Sequence, residues 1–396
     1  MGSIDIRVRS GQNRPEGLNR KGEWMKHRRY WVVPLAVLVL VGAVWAAAGA
    51  GASTSKASKT KVTLQLKWVT QAQFAGYYAA KAKGYYSKAG LDVRLKVGGP
   101  DIIPEQVVAG GGAEFGLDWL PSLLSARDKG TKLVNIAQVF ARSGMTQLTW
   151  KDSGIKTIAQ MKGKKVANWL GGNEFELFAA LTRAGMDPSA NKGVTIVKQP
   201  FDMNLFMNRQ VDSASAMTYN ELAQVLETKN PKTGNLTKLS DLNVIKMQNV
   251  GTGMLEDGIF TTDKWISDKS HQAIAKKFLA ASFRGWIYCR THVKDCVNIV
   301  LSHGPTLLKG HQTWQMNEIN ALIWPNKLGI GVMDPKAYAF TAKTTAKYNH
   351  LKKVPGHEAY RTDLARAAVL QLKKQHIDLY GRRWHKAVVK IRAGGK

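Results

Sequence analysis

Between Lys61 and Val97 the spacing of apolar positions changes twice. Val62, Leu64 and Leu66 alternate with polar residues and predict a strand from Val62 to Trp68. A polar-aromatic loop follows, carrying Gln71, Gln73, Phe74, Tyr77 and Tyr78, and then a short helix, a glycine turn and a second strand at GLDVRLKV. This is one βαβ unit with an unusually aromatic loop. Ligands of open α/β sheets lie beyond the carboxyl ends of the strands, so the loop sits where a small molecule would be held.

Further along, Ile102–Ala109 predicts a short helix, Glu114–Leu117 a buried strand, and Pro121–Lys129 a helix with proline in its first turn and Gly130 closing it. Leu133–Val139 and Gln147–Trp150 read as strands. A second set of α/β units starts near Lys156: a strand at KGKKVANWL, a Gly171-Gly172 turn into a helix, a strand at VTIVKQ, a helix at DMNLFMNRQ and a strand at SASAMTYN. From Ile259 onward the pattern is mainly helical, with helices expected at 271–289, 297–302, 312–322, 337–348 and 365–374. The economical architecture is α/β with two lobes. Residues 61–149 and 258–396 form lobe 1 and residues 150–257 lobe 2, with a helical C-terminal part that returns to the first lobe.

The first 52 residues differ. A basic cluster, Lys26, His27, Arg28 and Arg29, precedes an apolar run from Trp31 to Ala52 that ends in small residues offering A-x-A cleavage at 48–50 or 50–52. This is the layout of a secretory signal, although about twenty apolar residues could also stay as an uncleaved anchor. A Ser/Thr/Lys/Ala linker, residues 53–60, follows. The expected location is extracytoplasmic. No cysteine stands directly after the apolar run, which excludes an acylated lipoprotein terminus.

The only two cysteines are Cys289 and Cys296. On one unbroken helix seven residues would hold them ~10 Å apart, beyond disulfide reach. A disulfide therefore predicts a helix break between them, with Thr291, His292 and Asp295 as end and cap residues; two buried free thiols are the alternative.

With 58 Lys and Arg against 28 Asp and Glu, the net charge is +30, and removing residues 1–52, with 8 basic and 3 acidic, leaves +25. The basic residues are spread along the chain without a zinc-finger, RNP or basic-zipper signature, so a nucleic-acid partner is not expected. They are densest from Lys336 to Lys396, which reads as a solvated helical face or as a contact for an anionic membrane or envelope polymer.

The segments LKWVTQAQFAGYYAAKAKGYY, GLDVRL, AGGGAEFGLDWLPSLLSARDKG, LVNIAQ, MKGKKVANWLGGNE, AMTYNE and GMLEDGIFTT occur in this order between Val62 and Trp286. Their succession resembles the thiamine pyrimidine precursor-binding (ThiY-like) family of ABC-transporter solute-binding proteins, a family that also contains riboflavin-binding relatives and a pyrimidine synthase. The resemblance implies a type II periplasmic-binding-protein fold whose lobes close on a ligand in the interlobe cleft. It also implies a monomer delivering solute to a membrane permease. No G-x-x-x-x-G-K-[ST] motif is present, so the ATPase is expected on another chain.

Trp68, Phe74, Tyr77, Trp119 and Tyr219 stand at or after expected strand ends and are the candidate ring walls for a flat heteroaromatic ligand, ordinary core packing being the alternative for each. Gln73, Asn173, Glu174, Asn220, Glu221, Glu256 and Asp257 are the candidate polar groups, with Glu221 and Glu256 the preferred carboxylates for an aminopyrimidine. Gly171 and Gly172 let backbone come close ahead of a helix N-terminus that could receive an anionic group. Met203 and Met207 belong to a helix core. His271, His292, His303 and His311 lack metal-ligand spacing, and no cofactor is expected. An enzyme is disfavoured because no nucleophile elbow, H-E-x-x-H or cysteine-rich cluster is present. Riboflavin, an alkanesulfonate or a sensor role without a transporter are the other readings.

Overall fold

The computed structural model describes residues 58–396. The basic cluster, the apolar run, its cleavage positions and most of the linker lie outside the described residues. Ala57–Lys396 form one compact unit that contains both sheets and their cores. Among the described residues no helix is long and apolar enough to cross a membrane.

Among the described residues ten strands make two five-stranded sheets. The first sheet holds β1 (Thr60–Gln65), β2 (Leu91–Lys96), β3 (Phe115–Trp119), β4 (Leu133–Gln138) and β10 (Asp257–Thr262) in the order β2-β1-β3-β10-β4. The second holds β5 (Met145–Trp150), β6 (Lys165–Asn168), β7 (Thr195–Lys198), β8 (Ser213–Met217) and β9 (Leu242–Lys246) in the order β7-β6-β8-β5-β9. In each sheet the first three strands are parallel. The strand that enters from the other lobe, β10 or β5, takes the fourth place and runs antiparallel to both neighbours. Strands buried on both faces explain the continuous apolar or small runs LVNIAQ and SASAM, which show no alternation.

Since β5 lies wholly in the second sheet, the chain leaves the first sheet between Gln138 and Met145, ahead of the exchange expected near Thr149. It returns between Lys246 and Asp257. The expected helical region from Ile259 therefore opens with a strand, because DGIFTT pairs with β3 through Asp257↔Trp119 and Ile259↔Leu117.

The helix Lys269–Thr291 is the spine of the first lobe, capped at its start by the Asp268 carboxylate, which accepts from the Ser270 N–H. It crosses the helix Ala75–Ala82 at two glycines. A Cβ on Gly285 would lie 2.0 Å from the Gly76 carbonyl oxygen, and one on Gly76 would enter the Trp286 ring at 2.2 Å. His292 leaves helical geometry at φ −121°, ψ 51°, and a new helix runs Val293–His303. That break brings the Cα atoms of Cys289 and Cys296 to 5.5 Å, and the two are joined by a disulfide. Asp295 accepts from the Tyr288 hydroxyl at 2.7 Å and pairs with Lys83 at 2.7 Å, which ties the turn to the helix Ala75–Ala82.

Candidate functional site

The carboxyl ends of four parallel strands, two from each sheet, face one another across a cavity. Lys67, Trp68, Gln71 and Gln73 come from the loop after β1, and Trp119 ends β3. Opposite them, Trp169 and Asn173 follow β6, while Met217 ends β8 and Tyr219, Asn220 and Glu221 follow it. Four aromatic rings thus share one narrow space of about 40 Å³. Ligand pockets usually exceed ~300 Å³, so a ring enters only if the lobes part. Two contacts hold them together at the mouth. Trp68 meets the Phe201 ring edge-on at 4.8 Å, and Ser122 Oγ donates to the Gly172 carbonyl at 2.8 Å.

Polar groups behind the rings form a connected line. Gln315 Nε2 donates to Gln71 Oε1 at 3.0 Å, Gln71 Nε2 to Gln73 Oε1 at 2.6 Å, and Gln73 Nε2 to Asp257 Oδ2 at 2.8 Å. Gln315 lies on the helix Lys309–Ile323, which also receives the Ala72 N–H on Gln312 Oε1 at 2.7 Å. The same helix reaches the second lobe: Trp314 Nε1 donates to the Thr218 carbonyl at 2.9 Å, and the His311 ring sits 2.8 Å from Glu227 and 2.9 Å from Asn220 Oδ1. One helix therefore braces both sides of the cavity.

Lys67 Nζ pairs with Asp118 at 2.5 Å in buried surroundings. Burial alone would depress this ammonium, but the carboxylates of Asp118, Glu105 and Asp257 outweigh it and hold its pKa raised. Burial pushes Asp257 up to about 7, opposed by its bond from Gln73 and the Lys67 charge. Glu221 is likewise pushed up to about 7 by burial, against the Met217 N–H at 2.9 Å and Asn220 Nδ2 at 2.7 Å that its oxygens accept. A carboxyl with that pKa at a cavity wall changes between acceptor-only and donor near neutral pH.

Several sequence-named residues stand elsewhere. Phe74 and Tyr77 are buried in the first-lobe core, Tyr77 edge-on to Trp286 at 5.6 Å. A tight 3-10 turn at Ala72–Phe74 followed by the helix Ala75–Ala82 rotates both rings inward, away from the cleft. Gly171 and Glu174 do not line the cavity, and Gly172 meets Ser122 across the cleft mouth. The expected anion site at this turn is already occupied by the chain, since Glu174 Oε2 accepts the N–H groups of Gly172 and Asn173, each at 3.0 Å. Asp257 lies behind Gln73 rather than on the wall.

Glu256 binds the crossover between the sheets rather than lining the cavity. Its Oε1 accepts the N–H groups of Gly144 and Met145, at 2.7 and 3.1 Å, on the outgoing crossover. Glu176 makes the matching clamp, with Oε2 accepting from Ser143 Oγ at 2.6 Å and Oε1 from the Met254 N–H at 2.8 Å on the return crossover. Burial pushes Glu176 up to about 8, and burial plus the neighbouring Glu176 charge raises Glu256 well above the usual range. An unfolded Glu titrates near ~4.3, so above that value the folded protein holds a proton the unfolded chain has released. Stability therefore falls as pH rises from about 4.5 to 8, each such group contributing up to about 1.4 kcal/mol per pH unit. Glu176→Gln keeps an acceptor for Met254 and a donor for Ser143. It is expected to flatten this fall and raise the unfolding midpoint at pH 8, read by denaturant titration at pH 5 and pH 8; an unchanged slope would remove Glu176 as a source.

Lys67, Trp169 and Met217 line the cavity without having been named from sequence, and Gln71, placed in the loop but not among the site residues, lines it too. Trp169 carried the same signal as Trp119, a tryptophan closing a strand, and its Nε1 is buried with no partner.

Residues 71–295, more than half of the chain, match the family described as NMT1/THI5 like. A Haemophilus influenzae protein named for thiamine biosynthesis is 21% identical over 277 residues, 68% of this chain and 80% of that one. The riboflavin-binding protein RibY of Chloroflexus aurantiacus is 23% identical over 309 residues, covering 75% and 84%. A Legionella pneumophila 4-amino-5-hydroxymethyl-2-methylpyrimidine phosphate synthase is 28% identical over 141 residues, 35% of this chain and 44% of that one. Among solved structures, the ligand-binding component of an ABC-type import system from Staphylococcus aureus gives a TM-score of 0.56 at 11% identity, covering 78% of this chain and 99% of that one. The alkanesulfonate-binding protein SsuA of Xanthomonas axonopodis pv. citri gives 0.55 at 13%, covering 78% and 98%. The fold is that of the two-lobed type II periplasmic binding proteins.

Proposed function

The chain belongs to the NMT1/THI5-like family, and from that premise we propose that it is an extracytoplasmic solute-binding protein of an ABC importer that captures a small heteroaromatic ligand such as a thiamine pyrimidine precursor. The observation that carries this reading is the convergence of Trp68, Trp119, Trp169 and Tyr219 at the carboxyl ends of β1, β3, β6 and β8. Ring faces recognise a flat solute, and Glu221, Asn173, Asn220 and Gln73 beside them supply the donors and acceptors that would fix its orientation. Small anions need converging N–H donors instead, and the N–H groups of the Gly171-Gly172 turn are taken by Glu174 and Asn173.

A permease and a separate ATPase are the partners of this reading. The apolar run Trp31–Ala52 and the disulfide of Cys289 with Cys296 support an oxidising location outside the inner membrane. Pairing of the only two cysteines leaves no thiol for catalysis or metal binding, which supports a binding role over the synthase activity named in one relative. Riboflavin is the second ligand reading, favoured by the RibY relative.

Thermal-shift measurement with aminopyrimidines, thiamine, flavins and alkanesulfonates tests the proposal, because a ligand that binds only the folded state raises the midpoint by mass action. An aminopyrimidine or flavin shift is expected. A shift with sulfonates alone overturns the heteroaromatic reading.

A further inference from the structure

The surface of this protein is more basic than its composition. Among the described residues eight carboxylates are buried, Glu105, Asp118, Glu176, Glu221, Glu227, Glu256, Asp257 and Glu318, whereas the buried Lys and Arg are Lys67 and Arg290. The excess positive charge therefore faces outward, and four of its cations gather at one built feature. Residues 384–396 run against the helix Lys309–Ile323 as an irregular strap that ends in a 3-10 turn at Ala393–Gly395. Asn317 holds the strap through both amide atoms, donating to the Ala387 carbonyl at 2.8 Å and accepting its N–H at 2.9 Å. Farther on, the Gly394 N–H donates to the Glu227 carbonyl at 2.8 Å.

Between strap and helix lies a groove of about 610 Å³ ringed by Lys309, Lys390, Arg392 and Lys396, with no Asp or Glu in its lining. Lys309, Thr313 and Asn317, spaced four apart, present one face of the helix to this groove, while Gln312 and Gln315 meet the first-lobe loop from the other. Two aliphatic side chains stand out beside the cations. Val388, in the groove lining, is 101% exposed, and Leu308, immediately before Lys309, is 46% exposed.

We propose that this face docks on the anionic lipid headgroups of a bilayer. Cations near such a surface are drawn to it, and exposed aliphatic tips gain by entering the boundary with the acyl chains. A soluble polyanion would satisfy the four cations equally but offers nothing to Val388 and Leu308, which is why a lipid surface is the better fit.

The test is sedimentation of the Ala57–Lys396 unit with phosphatidylglycerol and with phosphatidylcholine vesicles, omitting the apolar run, which would bind both. Binding to phosphatidylglycerol alone, falling with salt, is expected. Each cation contributes roughly fivefold at a charged surface, so Lys309→Glu with Lys390→Glu and Arg392→Glu should weaken binding at least about a hundredfold. Val388→Ser, a neutral change at a fully exposed position that cannot unfold the chain, should weaken vesicle binding about tenfold and leave binding to soluble polyphosphate unchanged. Equal binding to both vesicles overturns the proposal. So does vesicle binding that is insensitive to Val388→Ser while polyphosphate competes for it, which would mark a polymer groove. None of these variants touches the cavity, so the ligand-induced thermal shift should persist in all of them.

Discussion

Gly285→Val should leave the chain without its native first lobe. Even the first carbon of a side chain at this position would lie 2.0 Å from the Gly76 carbonyl oxygen and 2.9 Å from Ala80 Cβ, and both belong to the helix Ala75–Ala82. Backbone cannot withdraw as a flexible side chain can, so relief requires the two helices to move apart. That separation would strip Trp286, Tyr77 and Phe74, all fully buried at this crossing, of their packing. Cavities and overpacking at single core sites typically cost about 1 to 5 kcal/mol, and this variant combines both, against a total stability of about 5 to 15 kcal/mol for a typical domain. Loss of the cooperative unfolding transition, or its displacement by more than about 10 °C, is the expected result in a thermal melt; Gly285→Ala should show a smaller loss of the same kind. A wild-type midpoint for Gly285→Val would mean that the helices do not cross here.

Trp68→Ala should weaken ligand binding about a hundredfold while the protein stays folded. Trp68 is half-buried, and its ring contributes an offset stack of about 1 kcal/mol plus roughly 2 kcal/mol of buried area to a flat solute. Its loss also removes the edge-on contact with Phe201 at the cleft mouth. Trp119 demands a different substitution. At 2% exposure its replacement by alanine would itself destabilise by about 3 to 5 kcal/mol, so Trp119→Phe separates ring stacking from folding. Calorimetric titration with the best aminopyrimidine or flavin is the measurement. Undiminished affinity in Trp68→Ala and Trp119→Phe together would remove these rings as walls of the site.

Much of the strand-end chemistry was legible because it is local. Trp68, Gln73, Trp119, Asn173, Tyr219, Asn220 and Glu221 all line the cavity, and each follows an element whose period or composition marks it. What failed was direction. Phe74 and Tyr77 follow β1 as closely as Gln73 does, yet one 3-10 turn decides which side chains point inward, and no spacing rule carries that angle. Lys67 was hidden for another reason. A lysine next to a tryptophan reads as a solvated charge until Asp118, Glu105 and Asp257, from two other strands and a helix, are found around it. β10 escaped because its six residues are short, contain a glycine and pair antiparallel with strands more than a hundred positions earlier. The helix Lys309–Ile323 was expected at 312–322, but its bracing role escaped for the same reason of distance, its contacts with Gln71 and Ala72 being separated by 244 and 240 positions in the chain.

That helix has a kinetic corollary. Being hydrogen-bonded to the loop after β1 on one side and to Thr218, Asn220 and Glu227 on the other, it cannot follow both lobes in the hinged opening that the proposed role requires. If the chain admits solute as proposed, one set of bonds must rupture at each admission, and neither set belongs to the ring faces. In the proposed receptor, gating and grip then rest on different side chains: Trp314 and His311 set how often the gate swings, Trp68, Trp119 and Trp169 how firmly the guest is kept.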